Sequence, residues 1–133
     1  MIALLDVAEL CARMRALNLD LFERLGSWVA TTPPGTEQRH WATACHRHAW
    51  HADLWAARAP AIRPFDLEAA VARHRSALGD AADRNGWYHE VLATLDAELA
   101  DAAERVHPEL DPSTIRTIAL VRADLADLAK LAG

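Results

Sequence analysis

The decapeptide HRHAWHADLW, His46 to Trp55, sets three histidines, one aspartate and two tryptophans within ten residues of a chain otherwise rich in alanine and leucine. Imidazoles near a carboxylate can move protons, ligate a metal, or be satisfied inside a helix interface. Helical spacing sorts them. At 3.6 residues per turn His48 shares a stripe with Trp41, Cys45, Ala52 and Trp55, and His51 flanks that stripe three residues on. His46 lies about 160° from His48, so His46 and Asp53 are expected on a solvated outer face.

The same geometry picks out polar groups elsewhere. Asn18 falls on a stripe with Met14, Leu21 and Leu25, whereas Glu23 lies about 200° from Leu21 and faces out. Further along, Tyr88 points inward, Glu98 flanks and Glu90 faces out. Near the C-terminus Asp124 sits among Thr117, Leu120, Val121, Leu128 and Leu131, with Asp127 on the edge of that stripe. A buried polar group left unpaired costs roughly 1–3 kcal/mol. Asn18, His48, His51, Tyr88 and Asp124 are therefore expected to satisfy one another as a converging polar site.

The elements that must position these groups are all helical. The apolar period is 3.6 almost throughout, and no segment alternates as a half-buried strand does. The first helix runs roughly from residue 3 to 30, with Leu4, Val7, Cys11, Met14, Leu21, Leu25 and Trp28 on one face, and TTPPG ends it. A second helix begins near Thr36 with a weak cap, since Arg39 stands where a capping box has Glu, and it ends before Pro60. APAIRPF is a linker. A short connector helix is bounded by Asp66 and Gly79, a third long helix spans Trp87 to Val106, and a fourth starts at Asp111 and Pro112 and runs to about Ala132. This pattern predicts a single domain over residues 1–133, folded as an antiparallel four-helix bundle with a linker helix between helices two and three.

Composition narrows the function classes. The 133 residues are 52% hydrophobic and 25% charged, with a net charge of −5. No basic stripe suits a phosphate backbone, and no apolar run approaches the ~18 residues of a membrane span, so neither nucleic acid nor membrane is an expected partner. Cys11 and Cys45 fall among apolar residues and read as buried free thiols, and without a secretory leader pattern the expected location is the cytoplasm. Trp50, outward on helix two, with other outward apolar groups on helices one and two, predicts a homodimer.

The strings LFERLGSWVATTP and HRHAWHADLWAARAP resemble small bacterial ferritin-like proteins, of the kind found in actinobacteria, over about residues 17 to 60, and DPSTIR before the last helix is also similar. That resemblance implies a ferritin-like bundle, in which a di-metal site takes a Glu from each of two helices and a Glu-x-x-His from each of the other two. At those positions this sequence has Asn18, then His48-x-x-His51, then no central acid, then Asp124-x-x-Asp127. A normal diiron site cannot be assembled from this set.

Three chemistries follow. In the leading one the degenerate metal cavity is a cofactor-free pocket for a small, apolar or aromatic substrate. His48, His51 and Asp124 are then the acid–base residues of an isomerase, cyclase or lyase, with Asp124 raising the pKa of an imidazole it orients. Asn18, Tyr88, Trp41, Trp55 and Asp127 bind the substrate. In the second, His48, His51 and Asp124 hold iron as the facial triad of an oxygenase. In the third the tryptophan-rich helices form a non-catalytic binding or assembly module. The missing carboxylates favour the first, which needs only the His and Asp that remain.

Overall fold

The computed structural model describes residues 3–132, and among these it contains five helices and no strand. The chain is all-α: α1 Leu4–Thr31, α2 Thr36–Arg58, α3 Leu67–His74, α4 Arg84–Arg105 and α5 Pro112–Ala132. None of them is long and apolar enough to cross a membrane. The fold consists of two compact units, Leu4–Gly79 and a C-terminal unit from Asp80 onward.

In the first unit α1 and α2 form an antiparallel hairpin. Its register is fixed by contacts whose residue numbers fall on one helix as they rise on the other. Gln38 Nε2 donates to the Val29 carbonyl at 3.0 Å, Cys45 Sγ to Phe22 at 3.3 Å, and Arg15 Nη1 to Ala52 at 3.0 Å. The interface buries Met14, Leu21, Leu25 and Trp28 of α1 against the α2 stripe of Trp41, Ala44, His48, His51, Ala52 and Trp55. Trp28 meets Trp41 edge-on, ring centroids 4.8 Å apart, beside the loop that joins the helices. That loop turns at Gly35, whose φ of 154° disfavours any side chain. Gly35 rather than Thr36 is the N-cap of α2, and it offers no side-chain cap bond.

Two expectations for this hairpin are corrected. Leu4 is 50% exposed rather than interior, because α2 ends at Arg58 and leaves the start of α1 without a facing turn. Cys11 is buried, but Cys45 is only half-buried, at the edge of the hairpin seam.

The connector is shorter than its expected span. Asp66 caps α3 by accepting from the Ala69 amide at 3.2 Å. Ala70 and Val71 pack on Ala12 and Ala16 of α1, whose missing bulk lets the short helix approach closely. The helix then stops at His74 instead of reaching Gly79, because the chain beyond is taken by α1. Arg75 Nε donates to Asp20 at 2.6 Å, Arg75 Nη2 to Glu23 at 2.6 Å, and the Ser76 amide to the other Asp20 oxygen at 3.0 Å. Arg24 adds Nε to the Leu78 carbonyl at 2.9 Å. Glu23 is outward-facing as expected and has a role there. Asp20, although its side chain is only 4% exposed, is satisfied by this clamp.

In the C-terminal unit α4 starts at Arg84, three residues before the expected Trp87. Asp83 caps it by accepting from the Gly86 amide at 3.0 Å, and a Cβ on Gly86 would collide with that carboxylate. Asp111 caps α5 twice over, from the Thr114 amide at 3.1 Å and from Thr114 Oγ1 at 2.6 Å, with Pro112 in the first turn. Arg122 of α5 grips Asp96 of α4 in a forked pair at 2.8 and 3.3 Å. The buried stripe of α5 is Thr114, Ile118, Val121, Leu125 and Leu128, beside Asp124. Leu120 and Leu131, expected on it, are 46% and 55% exposed. The alanine-rich helix is apolar over much of its circumference, so periodicity alone did not select the face that packs.

The clamp on the connector gives a stability prediction. Asp20→Asn should lower the unfolding free energy by about 2 kcal/mol, the scale of hydrogen bonds to a charged group. Glu23→Gln, at an exposed site, should change it by about 0.5 kcal/mol or less. Urea unfolding of the two variants measures both, and equal losses would refute the assignment.

Candidate buried histidine site

Helical periodicity places Asn18 on the inner face of α1 and His48 and His51 on that of α2, and the hairpin register brings Asn18 opposite His48. Both imidazoles are fully buried and Asn18 is 2% exposed. Asn18 Nδ2 donates to the Met14 carbonyl of its own helix at 2.8 Å. Its Oδ1 therefore faces His48 Nδ1, also at 2.8 Å. Since Oδ1 can only accept, the imidazole proton lies on Nδ1 and the ring lone pair on Nε2. His51 stands at right angles to His48, centroids 5.5 Å apart, and Trp50 lies against the other imidazole at 5.5 Å.

The electrostatics of His48 run opposite to expectation. A carboxylate beside the ring would raise its pKa. Burial, reinforced by the neighbouring His51, instead lowers it to about 3. The group fixing Nδ1 is the uncharged amide of Asn18, so His48 is a neutral imidazole of defined tautomer. Asn18 correspondingly orients the histidine, a role different from the expected donor to substrate.

The remaining expected site residues divide between the two units. Trp41 and Trp55 are buried on the stripe that carries His48 and His51. Tyr88 of α4 is buried in the C-terminal unit, as is Asp124 of α5. Burial, and then the charge of Asp124, push the Tyr88 phenol upward, so it remains a protonated donor. Asp127 lies on the exposed side of α5, since the packed face is rotated toward Leu125 and Leu128. His46 and Asp53 are exposed on α2, as their angular position requires. Among the described residues no three His, Cys, Asp or Glu side chains are grouped so as to hold one metal ion.

Glu98, expected to flank, is half-buried with one carboxylate oxygen out of solvent. One feature was not anticipated. An open cavity of about 450 Å³ lies between α4 and α5, bordered by His89, Leu92, Asp96, Arg122, Leu125 and Ala126. Small residues at Ala93, Ala126 and Ala129 were the only sequence signal for it. In comparisons with protein-family models, curated proteins and solved structures, nothing matches this chain.

The lowered His48 pKa has a pH consequence. Above about pH 6.5 the ring is neutral in both folded and unfolded chains. As the pH falls from there toward 3 the unfolded chain binds a proton that the folded one refuses, so this site destabilises the fold progressively. The His48 imidazole resonances should accordingly show no titration between pH 8 and pH 4 by NMR. A midpoint near 6.5 would refute the buried neutral form.

Proposed function

We propose that this chain is a ferritin-like four-helix protein of the cytoplasm whose degenerate di-metal position has become an acid–base centre acting on a small molecule. The observation that carries the reading is the Asn18–His48 hydrogen bond, which holds a wholly buried imidazole in one tautomer with its lone pair on Nε2. A bundle core without polar chemistry would have no need of a histidine there, let alone two.

The chemistry follows from the electrostatics. In the resting protein His48 is neutral at every physiological pH. Protonation inside the bundle is unfavourable until a negative charge appears beside the ring. Abstraction of a C–H proton next to a carbonyl supplies both at once: the proton passes to Nε2, and the C–H electron pair moves onto the carbonyl oxygen as an enolate. Where the carbonyl compound is β,γ-unsaturated the enolate is a dienolate, and returning the proton to its γ-carbon completes a double-bond isomerisation without oxidant or reductant. Burial of both imidazoles restricts the substrate to a small, largely apolar molecule that sheds its water on entry.

The test is untargeted. Purified protein is incubated with a small-metabolite extract, and consumption is followed by mass spectrometry. A compound consumed by the wild type should be consumed 10²–10⁴-fold more slowly by His48→Gln, the range for a lost general acid–base. His46→Ala should leave the rate unchanged, and treatment with chelator should not reduce it. Activity lost on chelation and restored by ferrous iron would overturn the metal-free reading.

The assembly we propose is a homodimer. Trp50 is 40% exposed on α2 and Phe22 41% exposed on α1, large apolar groups that a second copy would cover. Light scattering at micromolar concentration should give about twice the 14.6 kDa chain mass, falling toward one chain in Trp50→Glu. A wild-type monomer would remove the dimer while leaving the site intact.

A further inference from the structure

The cavity between α4 and α5 is bordered by residues of the C-terminal unit alone. Leu92 and Leu125, both almost fully buried, close its floor, whereas Ala93 and Ala126 are exposed and leave about 450 Å³ open. That volume lies within the roughly 300–1,000 Å³ of small-molecule sites. The Asp96–Arg122 pair stands at one end. Arg122 Nε donates to Asp96 Oδ1 at 2.8 Å and Nη2 to Oδ2 at 3.3 Å, and both side chains are partly exposed. A guanidinium carries five N–H donors and a carboxylate about four lone-pair sites. Among the described residues the fork therefore leaves Arg122 both Nη1 hydrogens, held in place by Asp96, and leaves each Asp96 oxygen able to accept again. His89 precedes Asp96 by seven residues on α4, as Ala129 follows Arg122 by seven on α5. They border the other end of the cavity, two helical turns or about 10.5 Å away.

We propose that this cavity binds a free aromatic α-amino acid. Its carboxylate takes the remaining donors of Arg122, its ammonium donates to Asp96, its ring lies over Ala93 and Ala126, and a polar group on the far edge of the ring meets His89. The site is separate from His48 and does not rest on the acid–base reading. The charge pattern selects the head group. A molecule with a carboxylate alone would set that charge beside Asp96, and one with an amine alone would set its charge beside Arg122. An uncharged molecule would cover a partly exposed ion pair without replacing its water. A zwitterion complements both charges at once. The walls select the side chain. Between the ion pair and His89 the lining is leucine and alanine, an apolar surface with room for a flat ring. An aliphatic side chain would stop short of His89, whereas a ring with a hydroxyl at its far edge spans the cavity and gives the imidazole a partner.

The experiment titrates the full chain with L-phenylalanine and L-tyrosine, and with 3-phenylpropanoate and phenethylamine as the matching molecules of one charge, followed by ¹H–¹⁵N NMR. Both amino acids should shift the Ala93 and Ala126 amide resonances saturably, L-tyrosine the more tightly because its hydroxyl reaches His89. Each one-charge molecule should bind about tenfold more weakly than L-phenylalanine or worse, the scale of one lost charge-assisted hydrogen bond. These comparisons use the wild-type chain and need no variant to fold. Arg122→Gln should bring L-phenylalanine down to the affinity of phenethylamine. Ala126→Phe fills the cavity and leaves the charges in place, and it should abolish the shifts while the helical circular dichroism is retained. His89→Ala should remove the preference for L-tyrosine. No saturable shift at millimolar amino acid, equal affinity for L-phenylalanine and a one-charge molecule, or undiminished binding in Ala126→Phe would each overturn the proposal. Cavity resonances that move on dilution of the protein and not with ligand would assign the groove to a second copy of the chain and overturn it as well.

Discussion

The 2.8 Å hydrogen bond from His48 Nδ1–H to Asn18 Oδ1 is the constraint on which the arrangement of the first unit turns. It is a polar contact in the middle of an apolar interface, where each partner would be costly alone. Asn18 is anchored in turn on the Met14 carbonyl, so the chain of bonds runs backbone to amide to imidazole with the direction of every donor set. Sliding α1 against α2 by one turn would break the bond between them and move the buried Asn18 carbonyl oxygen away from the imidazole. Apolar packing of Trp28, Trp41 and Leu25 holds the helices together, but a pair of polar groups fixes which residues meet.

That specificity also determines the electrostatics. A histidine given a carboxylate partner would be a charged, pH-responsive group. Given a primary amide and an apolar surround, it is neutral with a committed tautomer. Asn18, an uncharged amide, makes this a position suited to a neutral imidazole rather than to a cation. The chemistry proposed for the chain depends on this neutral pairing more than on any count of ligands.

Around this hairpin the rest of the first unit is organised by economy of bulk. Alanines at positions 8, 12 and 16 of α1 are wholly buried, and two of them receive α3. The clamp formed by Asp20, Glu23 and Arg75 then converts the end of that helix into an extended segment leading to the C-terminal unit. In that unit the work of orientation is done by caps, Asp83 on α4 and Asp111 on α5, and by the forked Asp96–Arg122 pair between them.

The amino-acid sequence by itself determined the helices and, for most polar residues, which way they face. A 3.6-residue period carries that information locally, which is why Asn18, His48, His51, Trp41, Trp55 and Tyr88 could be placed inside and His46, Asp53, Glu23 and Glu90 outside. It determined less where a helix is apolar on most sides, as at Leu120, Leu131 and Asp127, because the packed face is chosen by a neighbouring helix rather than by the period. Only the tertiary structure decided who pairs with whom. The assignment of Asn18 to His48 and the burial of Asp20 against Arg75 join residues thirty or more positions apart, and the lowering of the His48 pKa comes from its burial. Partner and desolvation are properties of the packed interior, and no local pattern encodes them.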